Sequence, residues 1–178
     1  MTKTYLLRLA WIMLGSAIAI SLALYLTQTS SPLLLASLGG STLFLFGLTT
    51  TPAAQPRALF GGHILSSLIG VLAYQFFGDT LPVSIIAVIL TIGVLLITRT
   101  AHPPAGANPL IMIQAHAGFM QIVTTVLLGV VVLFIVVWIW SRIGKGGKTY
   151  PISWTQPSPP SRNLGIWLPG SRSTKWNR

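Results

Sequence analysis

Cysteine is absent from the 178-residue chain, and acid nearly so: one Asp or Glu stands against 11 Lys and Arg. Without thiols there is no disulfide, thiolate metal centre or thiol nucleophile, though the compartment stays open. The lone acid, Asp79, leaves no carboxylate pair, and no Gly-x-Ser-x-Gly elbow occurs for a serine hydrolase. Three histidines, His63, His102 and His116, lack a recognised zinc spacing and have no carboxylate placed as base. No enzyme, cofactor or metal is expected.

What fills the chain instead is apolar. Hydrophobic residues make up 52% and charged residues 7%, against roughly 25% charged in a soluble domain. The formal net charge of +10 would suit nucleic acid if spread over a surface. Most of the Lys and Arg instead lie after Trp140, so no nucleic-acid partner is expected. The composition predicts an all-α polytopic membrane protein, with the lipid bilayer as its solvent.

Five apolar runs are expected as about five transmembrane helices. The first, Leu9 to Leu26, follows Lys3 and Arg8 but is too long for a signal-peptide core. The second, Leu33 to Leu48, and the fourth, Val83 to Thr98, fall just short of the ~17 residues that span a bilayer. The second has a small, polar centre at Gly39, Gly40, Ser41 and Thr42, read either as close packing or as a locally unwound helix facing a path. The third, Ala58 to Phe77, carries Gly62, Ser66 and Gly70 as a small face for a tight neighbour. On the adjoining stripe lie His63, Ser67, Gly70 and Tyr74. The fifth, Leu110 to Ser141, would extend about 48 Å as one helix. It is expected to tilt strongly, project from the membrane, or break near Gly118.

Between the fourth and fifth runs lies Arg99-Thr-Ala-His-Pro-Pro-Ala-Gly-Ala-Asn-Pro-Leu110. Irregular backbone at membrane depth survives only inside protein or along a watery cavity, and an ionisable group there marks a functional site by default. A shift of 53 places Gln55 on Asn108, Pro56 on Pro109 and His63 on His116, which predicts a parallel two-helix repeat with both Pro loops on one side. Asn108 with Pro109 reads as an N-cap and first helical position. Helix N-termini at Gln55-Pro56 and Asn108-Pro109, with Arg57 and Arg99, would together suit a small anion. Snorkelling of both Arg side chains to headgroups is the competing reading. The candidate site thus comprises the 51–57 and 99–109 loops, with Gln55, Arg57, Arg99, His102 and Asn108, plus His63, His116, Gly40 and Ser41.

The stretches Gln55-Pro-Arg-Ala-Leu-Phe-Gly-Gly-His63 and His102-Pro-Pro-Ala-Gly-Ala-Asn-Pro109 resemble the HPP family of integral membrane proteins, from about Pro32 to Val137. The resemblance implies nitrite transport, as ascribed to cyanobacterial and chloroplast members, with the His-Pro-Pro motif at His102, Pro103 and Pro104. No transit peptide is recognised, so a bacterial plasma (inner) membrane is the expected location. The expected function is transport of a small monovalent anion, nitrite first. The alternatives are a channel for other small anions or neutral solutes, or a non-transporting subunit. Lacking an acidic relay, the chain is expected to give passive flux, and its small faces predict a homo-oligomer.

Residues 1–142 are expected to form the membrane domain and 143–178 a basic, Pro-rich, disordered tail whose removal spares transport. Orientation conflicts with itself. Arg142, Lys145 and Lys148 place the tail inside by the positive-inside rule, and five spans then put Lys3 and Arg8 outside.

Overall fold

The structure, a computed structural model, describes residues 2–27, 35–144 and 149–161. Six helices follow one another: α1 (Lys3–Thr27), α2 (Ala36–Gly47), α3 (Pro56–Phe77), α4 (Leu81–Thr98), α5 (Asn108–Gln114) and α6 (Phe119–Ile143). Four of them, α1, α3, α4 and α6, are long and apolar enough to cross a membrane, and α2 is a shorter apolar helix. The fold is therefore the all-α, five-helix membrane architecture expected, with α5 as an added fragment. Large apolar side chains such as Leu7, Met13, Ile86 and Ile97 stay exposed on α1 and α4. In lipid that surface needs no cover.

Local chemistry sets the boundaries. Pro56 occupies the first turn of α3, where its missing N–H removes nothing. Gly78, at φ 77°, ends it. Helix α4 stops on Arg99, a left-handed residue at φ 55°, while the Thr100 N–H closes on the Leu95 carbonyl. A side chain in that conformation costs roughly 1–2 kcal/mol, so Arg99 must gain elsewhere. Of the three readings of the overlong fifth run, the break is the one present: α5 ends at Gln114, His116 turns at φ 50°, and α6 begins at Phe119. Its second turn is a π-helical stretch, Ile122–Leu127.

Helix α3 sits against α4, α5 and the 3-10 turn Pro103–Ala107, while α1 pairs with α6 and α2. The small face of α3 explains the closeness. A Cβ on Gly62 would lie 2.9 Å from the His102 Cβ and 3.0 Å from the Thr100 carbonyl. One on Gly70 would lie 2.7 Å from the Pro109 Cα. The neighbour this face admits is thus the irregular segment itself, running inward along α3 from Thr100. It reaches the far end at His116, whose ring stacks on Tyr74 at 4.8 Å. Thr100 to His116 forms a sixth passage, part loop and part helix.

That sixth passage resolves the conflict in orientation. Arg8 and Trp11 of α1 line one cleft with Thr49, Ser141 and Gly144, and Trp11 stacks on Trp140 at 4.2 Å. The start of α1 and the end of α6 therefore share a face. Arg57, Arg99 and Arg142 lie on it too. Asp79, the sole acid, is at the opposite face, 3.1 Å from His116 Nε2.

Residues 149–161 depart from the disordered tail expected. Tyr150 is fully buried and donates to the Ala54 carbonyl at 2.8 Å. Ser158 forms an isolated parallel bridge with Thr100, exchanging backbone bonds with Arg99 and Ala101. The physical reason is unpaired loop backbone: both Pro-containing loops expose carbonyls, and this strap supplies donors and cover. The rest of the expected tail, 162–178, lies outside the described residues, as do Lys145 and Lys148.

Candidate buried polar site

Two prolines keep His102 extended, at φ −120° and ψ 105°, because a residue before proline is pushed out of the helical region. The 3-10 turn that follows swings Asn108 inward, and α3 delivers His63 and Ser67 one turn apart on a single face. Ser41, from the small polar centre of α2, completes the set. His63, Ser41, Ser67, His102 and Asn108 are all buried.

Their bonds form one continuous chain. His102 Nδ1 lies 2.6 Å from the Ala53 carbonyl, which only accepts, so Nδ1 carries the hydrogen. His102 Nε2 is then the acceptor facing Ser41 Oγ at 2.8 Å. At the other end the Asn108 amide donates from Nδ2 to His63 Nδ1 at 3.0 Å and to Ser67 Oγ at 2.9 Å. His63 Nε2 therefore carries its hydrogen and donates to Ser41 Oγ at 2.8 Å. The Ser41 hydroxyl donates onward to His102, with the Ser37 carbonyl, 3.1 Å away, as its other acceptor. The two imidazoles stand 5.2 Å apart, centre to centre, and Phe44 meets His102 edge-on.

Four buried side-chain atoms among the described residues lack a partner, Ser37 Oγ, Thr91 Oγ1, Trp140 Nε1 and Asn108 Oδ1, and the last belongs to this chain of bonds. Asn108 Oδ1 is buried and has no hydrogen-bond partner among the described residues. A buried carbonyl without a donor carries a desolvation penalty of about 1–3 kcal/mol.

The remaining candidates divide. Gln55 is fully buried, but as an organiser of backbone: Nε2 donates to the Thr49 and Thr51 carbonyls, and Oε1 accepts from Ile152 and Ser153. Neither Gln55 nor Asn108 caps its helix through the side chain. The picture of two capped helix starts aimed at one anion is not what the chain builds, because each amide finds stronger use elsewhere. Arg57 is exposed and donates to the Thr98 carbonyl. Arg99 donates to the Pro159 and Pro160 carbonyls, which holds its left-handed backbone against the strap. Both guanidiniums thus belong to the surface. Gly40 is exposed and admits Pro104, whose ring a Cβ there would meet at 3.1 Å.

His116 lies at the opposite face with Asp79, so the shift-by-53 repeat does not extend to equivalent histidines. The two Pro loops do share a face, where His102 meets Ala53. Ser67 was visible as the residue one turn after His63, but nothing in the sequence marks Ala53 as a carbonyl acceptor. Burial pushes the Tyr150 phenol up, keeping it a donor to Ala54.

Apolar helices of membrane-spanning length around a loop-borne, hydrogen-bonded polar cluster define a polytopic membrane protein. The family model for the HPP transmembrane region matches residues 1–151, and the chain belongs to the HPP transmembrane family. It is 30% identical over 129 residues to one transmembrane protein of Dictyostelium discoideum, covering 68% of this chain and 45% of that protein. A second transmembrane protein from the same organism is 33% identical over 130 residues, covering 68% and 41%. The chain thus spans less than half the length of these relatives. No solved structure matches it.

Proposed function

We propose that the protein carries a small monovalent anion, nitrite first, across a bacterial plasma membrane, and that it is a transporter and not an enzyme. One observation carries the reading: polar side chains from α2, α3, α5 and the His-Pro-Pro loop bond to one another among apolar helices, with Asn108 Oδ1 left unpartnered. Polar groups inside a membrane are expensive and mark substrate paths. The loop is irregular backbone, which at membrane depth survives only inside protein or along a watery cavity. Hydroxyl, amide and imidazole groups are donors a small oxoanion can accept from once one of their mutual bonds opens. On this reading the substrate site is Ser41, His63, Ser67, His102 and Asn108, with Arg57 and Arg99 as surface anchors. Gly39, exposed on α2 with nothing within 4 Å of an added Cβ, leaves a small face there available to a second copy of the chain.

The test is nitrite influx into proteoliposomes holding the purified full chain, against protein-free vesicles. Influx well above the protein-free rate is expected, with His102→Ala reducing it at least tenfold. A wild-type rate equal to the protein-free rate would rule transport out.

A further inference from the structure

The chain of hydrogen bonds ends in an acceptor with no donor, and that mismatch has a chemical consequence. In the arrangement described, the carbonyl oxygen of Asn108 is buried and turned away from His63 and Ser67. A bare anion arriving there meets lone pairs. Two rearrangements relieve the clash, and both bring one extra proton.

In the first, the anion arrives as its neutral acid, and the acid O–H donates to Asn108 Oδ1. In the second, the amide turns by half a revolution. Its N–H groups then donate to the anion, while Oδ1 takes the place of Nδ2, facing His63 Nδ1 and Ser67 Oγ. An oxygen at that 3.0 Å separation repels a bare Nδ1 lone pair, so His63 Nδ1 must hold a hydrogen. Passage from the first to the second breaks the acid O–H bond, whose electron pair stays on the oxoanion, and forms an N–H bond on His63. Neither atoms nor charge are left over: each arrangement holds one anion and one proton. The hydrogens of Ser41 and His102 need not move.

We propose that the site loads one proton with each anion, making transport an electroneutral proton–anion symport switched by the Asn108 amide. The inference rests on the anion-transport reading above. It departs from the passive flux expected for want of an acidic relay, because the His63 imidazole and the Asn108 amide supply the relay.

Among the described residues no charged side chain joins this chain of bonds. His102 is the titratable group linked to His63 through Ser41, and α2 and α5 contribute Ser41 and Asn108, both uncharged. Arg57, Arg99 and Arg142 donate to backbone carbonyls at the strap face, and Tyr150 donates to Ala54. Asp79 and His116 pair at the opposite face. A monovalent anion at the site is therefore balanced by its own proton or not at all. Selectivity follows from acid strength. Nitrite and formate, bases of weak acids, share the proton; nitrate, similar in size and charge, is the base of a strong acid and does not.

The experiment uses full-length protein in liposomes, with protein-free rates subtracted because neutral nitrous acid itself leaks through lipid. Nitrite is placed at equal concentration on both sides, and either a pH gradient at zero voltage or a potassium diffusion potential at zero pH gradient is imposed. The expected result is accumulation toward the alkaline side, approaching tenfold per pH unit, with lumenal pyranine reporting one proton per nitrite and no response to voltage. Nitrate should move at least tenfold more slowly. Asn108→Leu, checked for monodispersity, should lose the response to pH gradient. Flux driven by voltage and indifferent to the pH gradient would overturn the symport while leaving transport standing. No flux under either gradient would remove both.

Discussion

His102 Nδ1 and the Ala53 carbonyl, 2.6 Å apart, decide the protonation pattern of the whole buried chain. The carbonyl cannot donate, so the ring must, and every later hydrogen in the series has its place assigned. The bond also joins the two Pro-containing loops, since one partner comes from each.

Gly62→Ala should destabilise by about 1–3 kcal/mol. The added methyl meets the Thr100 carbonyl at 3.0 Å and the His102 Cβ at 2.9 Å, and both belong to a packed loop that cannot retreat. Gly39→Ala is the contrast, since nothing lies within 4 Å of its added methyl. It should be neutral or slightly stabilising. The melting temperatures of the two variants check the pair.

Tyr150→Phe should cost about 1–2 kcal/mol, because it leaves the Ala54 carbonyl buried without its donor. Deleting 150–178 should cost more, removing the Ser158 bridge and the two bonds to Gln55 as well. Limited proteolysis at the 48–56 loop would report the loosening. A truncated protein as resistant as wild type would show that the strap contributes nothing.

Orientation follows from charge. Lys3, Arg8, Arg57, Arg99 and Arg142 share the strap face, so the positive-inside rule places that face in the cytoplasm and Asp79 outside. The chain has no native cysteine, so single introduced thiols report cleanly. Thr80→Cys should react with a membrane-impermeant maleimide on intact cells, and Thr50→Cys only after permeabilisation. The reverse pattern would invert the assignment.

The sequence carried the architecture well where the signal was local. The His-Pro-Pro stretch, the small face at Gly62, Ser66 and Gly70, and the break before Phe119 all appear where composition and spacing put them. Local signals misled where a side chain had two uses. Asn108 before Pro109 reads as a helix cap, yet its amide turns to His63 and Ser67, because a buried imidazole offers more than a helix start already closed by a 3-10 turn. Arg99 beside the motif reads as an anion ligand, yet its left-handed backbone turns it toward the strap. His116 matches His63 in a shifted alignment, but the two passages differ in kind: α3 is continuous helix, whereas the segment from Thr100 reaches the same depth through loop. Ser41 stood out only as part of a polar centre, since its two histidine partners are 22 and 61 residues away. The strap was least legible, for its bonds are made by backbone atoms that every sequence has.

The contact between Tyr150 and Ala54 bridges 96 residues, and it imposes an order on synthesis. The first Pro loop is made early, yet its covering residues leave the ribosome only after α6. Throughout insertion, Gln55 and the carbonyls around it must therefore be satisfied by water or by the translocation machinery. The site is closed by a segment made after all the helices described, so a polypeptide that has reached only the end of α6 holds its helices in the membrane with this face still open.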